Sequence, residues 1–181
     1  GLAAGGKGDH GPVALDAARQ QDMRIDAHQL AYNLLWRVNE RDVIPFCNAH
    51  HISIVTYASL AHGILAGHIP QQLNFPVGDQ RRTILLFRED SWPKVYQATE
   101  AFKSVAERAG RPLPHLSLRW LLHQAGVSSV VVSARDAQQA AANAQALDGE
   151  ITDSIFAQLT AISDEVNQHI PFEDTLYNYR P

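Results

Sequence analysis

Cysteine is all but missing from the 181-residue chain: Cys47 stands alone, so no internal disulfide can form. It sits in the apolar pattern Val43, Ile44, Phe46, Cys47 of an expected helix, which points to a buried, inert thiol. An excess of positive charge is lacking too. Fifteen Lys plus Arg face nineteen Asp plus Glu, a formal net charge of −4, which leaves no cationic surplus for a phosphate backbone or an anionic bilayer. No apolar run approaches the roughly 20 residues of a spanning helix, and no charged segment followed by an apolar one opens the chain as a secretory signal would. The expectation is a cytoplasmic protein without nucleic-acid or membrane partners. Gly-x-Ser-x-Gly is absent as well, which weighs against an α/β-hydrolase.

What the chain does contain is 45% hydrophobic residues, enough for a core. Its glycine-rich start, residues 1–11, reads as a leader, and residues 12–181 as a domain. Gly6, Gly8 and Gly11 have the spacing of a dinucleotide fingerprint, but that motif needs a preceding strand, and the five residues before Gly6 do not form one. Pro12 suits the first turn of a helix ending near Gln21. A short alternating stretch, Met23 to Gln29, predicts a strand, and Asn39 to His50 a helix with Pro45 in its first turn or at a kink. The β-branched and aromatic run Ile52 to Tyr57 predicts a strand. Residues 58–92 hold Gly63, Gly67, Pro70, Pro76 and Gly78, and read as a long loop with one short helical turn.

Asp90 or Ser91 then opens a helix on Val95, Ala98, Phe102, Val105 and Ala106, and a second helix follows Pro112 with Leu116, Trp120 and Leu121 as its buried stripe. Ser128 to Ser133 predicts a third strand, apolar enough to be central and parallel. Asp136 caps an alanine-rich helix, and Thr152 or Asp153 starts another on Ile155, Leu159 and Ile162. Strands alternating with helices imply parallel βαβ units, an α/β fold.

In such folds chemistry collects at the carboxyl ends of strands, which the sequence puts just after positions 28, 57 and 132. Three ordered segments stand there: Gln29-Leu-Ala-Tyr32-Asn33-Leu-Leu-Trp36-Arg37, Tyr57-Ala-Ser-Leu-Ala-His-Gly63-Ile-Leu-Ala-Gly67, and Ser133-Ala-Arg135-Asp136-Ala-Gln-Gln139-Ala-Ala-Ala-Asn143. Together they resemble the aldo-keto reductases, in particular the bacterial branch, from about Ile25 to Leu147 and more weakly to the helix near Ile162. The resemblance implies the C-terminal part of a (β/α)8 TIM barrel with the N-terminal strands missing, NADPH (NADP) as cofactor, and a small-molecule aldehyde or ketone as substrate of the parent protein.

Carried over, the resemblance implies that Gln29 holds the nicotinamide carboxamide, since an amide donates and accepts together. Tyr57 stacks on the nicotinamide ring, and backbone N–H groups around Ser59, Leu60 and Gly63 receive the pyrophosphate. Arg135 meets the adenosine 2′-phosphate with its fork of donors. Gln139 and Asn143, one turn apart, face the adenine end. Each has a plainer reading beside it: loop glutamine, core tyrosine, turn, exposed helix start. Trp36 reads as packing. Arg81-Arg82 decorates the long loop, within reach of the phosphates. The nine histidines read as surface residues, because His50 and His51 diverge and no acidic or cysteine partner stands at ligand spacing.

Against the family pattern, Ala58 and Ser59 stand where a serine and a proline are usual, His68 replaces a lysine, and Ala142 an acidic residue. The serine and asparagine that the family has ahead of the Pro12 helix are absent. The aspartate, tyrosine, lysine and histidine of its catalytic group cannot be placed, so no catalytic residue is assigned. A complete barrel needs about 250 residues. The expectation is therefore a cofactor-binding part of an oxidoreductase, inactive alone, with self-association or a missing N-terminal half to cover its open edges. A noncatalytic nicotinamide-binding regulatory or interaction module, or a fragment without activity, remain the alternatives.

Overall fold

The computed structural model describes residues 10–173 and 175–177. Most of the leader, with Gly6 and Gly8 of the glycine fingerprint, lies outside the described residues. Helix α1 (His10–Gln20) opens two residues ahead of the expected boundary. Strand β1 (Ala27–Ala31), helix α2 (Val43–Ala49), strand β2 (Ser53–Tyr57), helices α3 (Trp92–Arg108) and α4 (Leu113–His123), strand β3 (Val127–Val130), and helices α5 (Ala137–Ala144) and α6 (Asp153–Asn167) follow. The three strands form one sheet in the order β1-β2-β3, with both pairs parallel. No helix among the described residues is long and apolar enough to cross a membrane.

Helix α3 follows its three-and-four spacing closely: Val95, Ala98, Phe102, Val105 and Ala106 are all buried. Ser91 precedes it, but its hydroxyl turns to the Asp90 carboxylate rather than to the helix. In α4 the expected stripe Leu116, Trp120 and Leu121 is buried, and Trp120 Nε1 donates to Thr160 Oγ1 at 2.9 Å. Asp136 caps α5 through a 2.7 Å bond from the Gln139 N–H. Pro45 sits in the first turn of α2, where its missing N–H costs nothing, and the expected longer helix is instead preceded by a separate 3-10 turn at Val38–Glu40. Gly126 turns the chain into β3 at φ 83°, and a Cβ there would lie 1.9 Å from Asn48 Oδ1.

Three expectations fail for non-local reasons. The first strand runs Ala27–Ala31, because Leu30 and Ala31 find partners in Thr56 and Tyr57, while Met23 and Arg24 stay exposed. The third strand is an edge rather than central: β2 lies in the middle, Ser128 and Ser129 are exposed, and Val131 is 48% exposed. An apolar run records what a strand needs to bury, not that the covering strand is beside it. Residues 58–92 are not one loop with a single turn but three 3-10 segments, Ala61–Ala66, Gln80–Thr83 and Leu85–Phe87, which bury Ile64, Leu65, Leu85, Leu86 and Phe87 in the main core. Breakers set the bends while the apolar pairs between them supply the burial.

Helix α5 differs from its neighbours in burying no side chain. It is held just beyond its end, where Ala146 is buried and Arg119 Nη1 donates to the carbonyls of Ala146, Leu147 and Gly149 at 3.1–3.3 Å. Arg111 Nη1 grips the Asp148 carbonyl at 2.7 Å.

Candidate functional site at the strand exits

The parallel register decides which side chains share a face. Gln29 pairs with Val55 and Ala31 with Tyr57, so Gln29 and Tyr57 are diagonal neighbours on one face, with Cα atoms roughly 8 Å apart from the strand rise and spacing. That face carries exposed Gln29, Ser53 and Ser129 and half-buried Val55 and Tyr57, whereas Leu30, Ile54 and Thr56 on the other are buried. Gln29 therefore stands inside β1, not after it as the sequence suggests, and its amide is open to solvent. Burial raises the Tyr57 phenol above its ordinary range, which keeps it neutral.

Beyond the last paired residues the three exits are tied into one rim. The Tyr32 N–H donates to the Tyr57 carbonyl at 3.3 Å and the Val131 N–H to the Thr56 carbonyl at 2.8 Å. Asn33, fully buried, donates from Nδ2 to the Ala58 carbonyl at 2.9 Å and accepts from the Leu35 N–H at 2.9 Å. The buried Ser59 hydroxyl donates to the Val131 carbonyl at 2.7 Å. Ser59 is thus a tie between β2 and β3, and its side chain is occupied with protein. Asn33 stands in the first motif with no role that the sequence pattern assigns. Asparagine beside a strand end, a residue type that bonds backbone readily, was the available signal.

The segment after Asn33 is structural. Trp36 is buried as expected. Arg37 bonds Glu40 at 2.7 Å and the Ser163 hydroxyl at 3.2 Å, and pairs with Asp164 on α6. Burial opposes the Arg37 charge, but Glu40 and Asp164 more than offset it and hold the guanidinium firmly protonated. The Tyr32 phenol is raised by burial first and by its bond to Glu40 second.

In the segment Ala58–Gly63, Ala58, Ala61, His62 and Gly63 take left-handed φ of 52°, 48°, 54° and 95°. Three of these carry a Cβ, so the loop stores strain directly after Tyr57, a pattern common at ligand sites. Leu60 is half-buried at its turn. At the third exit Arg135 is exposed, and among the described residues no carboxylate is ion-paired with it. Gln139 Oε1 accepts from the Arg135 N–H at 2.8 Å, and Asn143 Nδ2 donates to the Ser133 carbonyl at 3.2 Å. Both amides therefore hold the loop that carries Arg135, each with its other amide atom unused by these bonds.

Two other expectations shift. Arg81 is paired with Asp79 at 2.6 Å and lies 4.3 Å over the Phe75 ring, while Arg82 bonds the Phe75 carbonyl. Both are thus engaged within their own loop. His28 and His62 are half-buried rather than surface histidines. Cys47 is fully buried, and burial pushes its thiol up to about 11. Two clefts lie elsewhere, one of about 320 Å³ beside Arg37, Arg41 and Phe172 and one of about 310 Å³ beside Asp26, His50 and Ile52.

A family model described as the Aldo/keto reductase family matches residues 10–164. The chain belongs to the aldo/keto reductase family. The match extends past both ends of the three motifs and takes in α1 and most of α6. Among curated relatives of this reductase family, the NADH-specific methylglyoxal reductase of Escherichia coli (strain K12) is 27% identical over 130 residues, 72% of this chain and 39% of its own length. Aldo-keto reductase YhdN of Bacillus subtilis (strain 168) is 30% identical over 108 residues, 59% of this chain and 33% of its own length. Among solved structures, the glycerol dehydrogenase AKR11B4 from Gluconobacter oxydans superposes with a TM-score of 0.75 at 26% identity, covering 88% of this chain and 47% of that one. This aldo-keto reductase chain therefore spans less than half the length of each of these relatives.

Proposed function

We propose that this chain is the cofactor-holding, C-terminal part of a (β/α)8 barrel in an NADPH-dependent aldo-keto reductase that acts on small aldehydes or ketones, and that it is inactive on its own. The observation that carries the reading is the rim: three parallel strand exits, tied by Asn33 and Ser59, present Gln29 and Tyr57 on one open face.

The side chains present fit a nicotinamide dinucleotide, which when bound would supply hydride. Gln29, solvent-open, has both a donor and an acceptor for a carboxamide. Tyr57 offers a flat, neutral ring surface. Leu60 and Gly63 belong to a tight, partly left-handed loop in which the Ala61 and Gly63 N–H groups already donate to the Ala58 and Leu60 carbonyls at 2.7 and 3.0 Å, so a pyrophosphate would take the N–H groups of Ser59 and Leu60, with Gly63 allowing its close approach. Ser59 serves this loop by fixing its position. Arg135, with no ion-paired carboxylate among the described residues, suits an adenosine 2′-phosphate. Gln139 and Asn143 set the Arg135 loop and keep one amide atom each for the adenine end. Preference for NADPH rests on Arg135, and the Escherichia coli relative shows that the family also accommodates NADH specificity.

Titration of NADPH and NADH against the chain, followed by nicotinamide fluorescence, tests this. The expected result is binding of both, with Arg135→Ala weakening NADPH at least tenfold, the effect of losing one charge-assisted contact of about 1.5–3 kcal/mol, and NADH far less. Equal weakening would remove Arg135 from the phosphate. Binding of neither nucleotide would favour a noncatalytic interaction module, and carbonyl reduction by this chain alone would overturn its inactivity.

A further inference from the structure

One buried group takes no part in the rim. His62 has φ 54° and ψ 33°, a conformation uncommon for a residue with a Cβ, and its Nε2 is buried with no hydrogen-bond partner among the described residues. An orphaned buried nitrogen is costly and calls for a reason. The ring meets Tyr177 edge-on, with centroids 5.5 Å apart and planes at 81°.

Tyr177 belongs to the carboxyl-terminal tail, which crosses the 3-10 segment Leu85–Phe87. The Leu85 N–H donates to the Leu176 carbonyl at 2.9 Å, Ile84 bridges Tyr177 in antiparallel fashion, Leu176 is buried, and Arg88 pairs with Glu173 at 2.7 Å. The Tyr177 phenol is raised by burial first and by the charge of Tyr57 second. His62 is thus where the strained loop after β2 touches the tail.

We propose that neutral His62 latches the tail against the loop that follows β2, and that protonation of the imidazole releases the tail. Among the described residues the surroundings offer a cation no free carboxylate. The loop Ala58–Ala66 carries no other titratable group. The described part of the tail contributes Tyr177 and a Glu173 already paired with Arg88, and β2 contributes Tyr57. From α4, packed on this loop, come His115, Arg119 and His123, with Arg119 committed to the 146–149 carbonyls. From α3, beside Gly67, come Lys103 and Glu100, paired to each other. Burial accordingly holds His62 below its ordinary value of 6.5 while docked. The undocked tail leaves it free to take the proton, so docking is at full strength above about pH 6.5 and weakens as pH falls from there towards the docked value.

Amide hydrogen exchange of the full chain, read in a peptide over residues 171–177 and corrected for intrinsic rates, tests the latch. Protection should fall roughly tenfold between pH 7.5 and pH 5.0, while a peptide within α3 stays unchanged. His62→Phe keeps the edge contact without a titrating nitrogen and should hold the tail at both pH values. His62→Asn, which tolerates the left-handed backbone, should loosen it at both. Tail protection that is flat with pH in the unaltered chain, or a wild-type pH dependence retained in His62→Phe, would overturn the proposal. Should the Phe variant fail to fold, the contrast between tail and α3 in the unaltered chain still decides.

Discussion

Asn33 gives the sharpest test of the idea that the rim is held by side chains bonding to backbone. Replacing it with alanine removes two bonds at a site with no solvent exposure: the Leu35 N–H is left unpaired, while the Ala58 carbonyl keeps only its 2.7 Å bond from the Ala61 N–H. An orphaned buried backbone group costs about 1–3 kcal/mol and a lost bond about 0.5–1.5 kcal/mol, so the loss should be about 1.5–4.5 kcal/mol, a large share of the roughly 5–15 kcal/mol that stabilises a typical domain. Asn33→Asp keeps the acceptor for Leu35 but turns an anion towards the Ala58 carbonyl, and should be at least as harmful as losing that one bond. Urea unfolding followed by tryptophan fluorescence measures this, because Trp36 and Trp120 are buried. With a slope of about 1–3 kcal/mol per molar, Asn33→Ala should lower the midpoint by about 1–2 M or more. A stability change below about 0.5 kcal/mol, the range of an ordinary surface substitution, would refute the role assigned to Asn33.

Two further outcomes follow from geometry. Gly126→Ala combines a positive φ with a Cβ placed 1.9 Å from Asn48 Oδ1, and should destabilise by about 1–3 kcal/mol. Thermal unfolding of Gly126→Ala beside Asn48→Ala,Gly126→Ala separates the two causes, since the double change relieves the clash and leaves the backbone strain. The sheet's outer strands, β1 and β3, have no further strand paired to them among the described residues, and unpaired edges invite association. Sedimentation equilibrium should show mass rising with concentration, and a sharp, concentration-independent monomeric melt would contradict it.

Legibility in the sequence followed the range of the interactions. The stripe of α3, the Asp136 cap and the β-branched run of β2 are local patterns, and each is where the pattern puts it. The edge position of β3 and the two-residue extension of β1 depend on partners 74 and 26 positions away, shown by the pairings of Val55 with Ser129 and Ala31 with Tyr57, for which no local pattern speaks. At the rim, motif order located Tyr57 at the end of β2 and Arg135 in the loop after β3, whereas Gln29, expected just past its strand, lies inside β1. The duties of Asn33 and Ser59 stayed hidden because their partners, Ala58 and Val131, are 25 and 72 residues distant. His62 was hidden twice over, its partner ring being Tyr177 and its burial created by the fold.

Helix α5 sinks no side chain into the core, and its fastening by Arg111 and Arg119 grips main-chain oxygens past its last turn. A carbonyl is the same whatever residue bears it. Apart from Gln139 and Asn143, whose amides tie down residues 133–135, the outer face of this helix can therefore be rewritten over generations with little penalty to folding. Surface and architecture are encoded here by different letters of the chain, and that separation lets one drift while the other stands still.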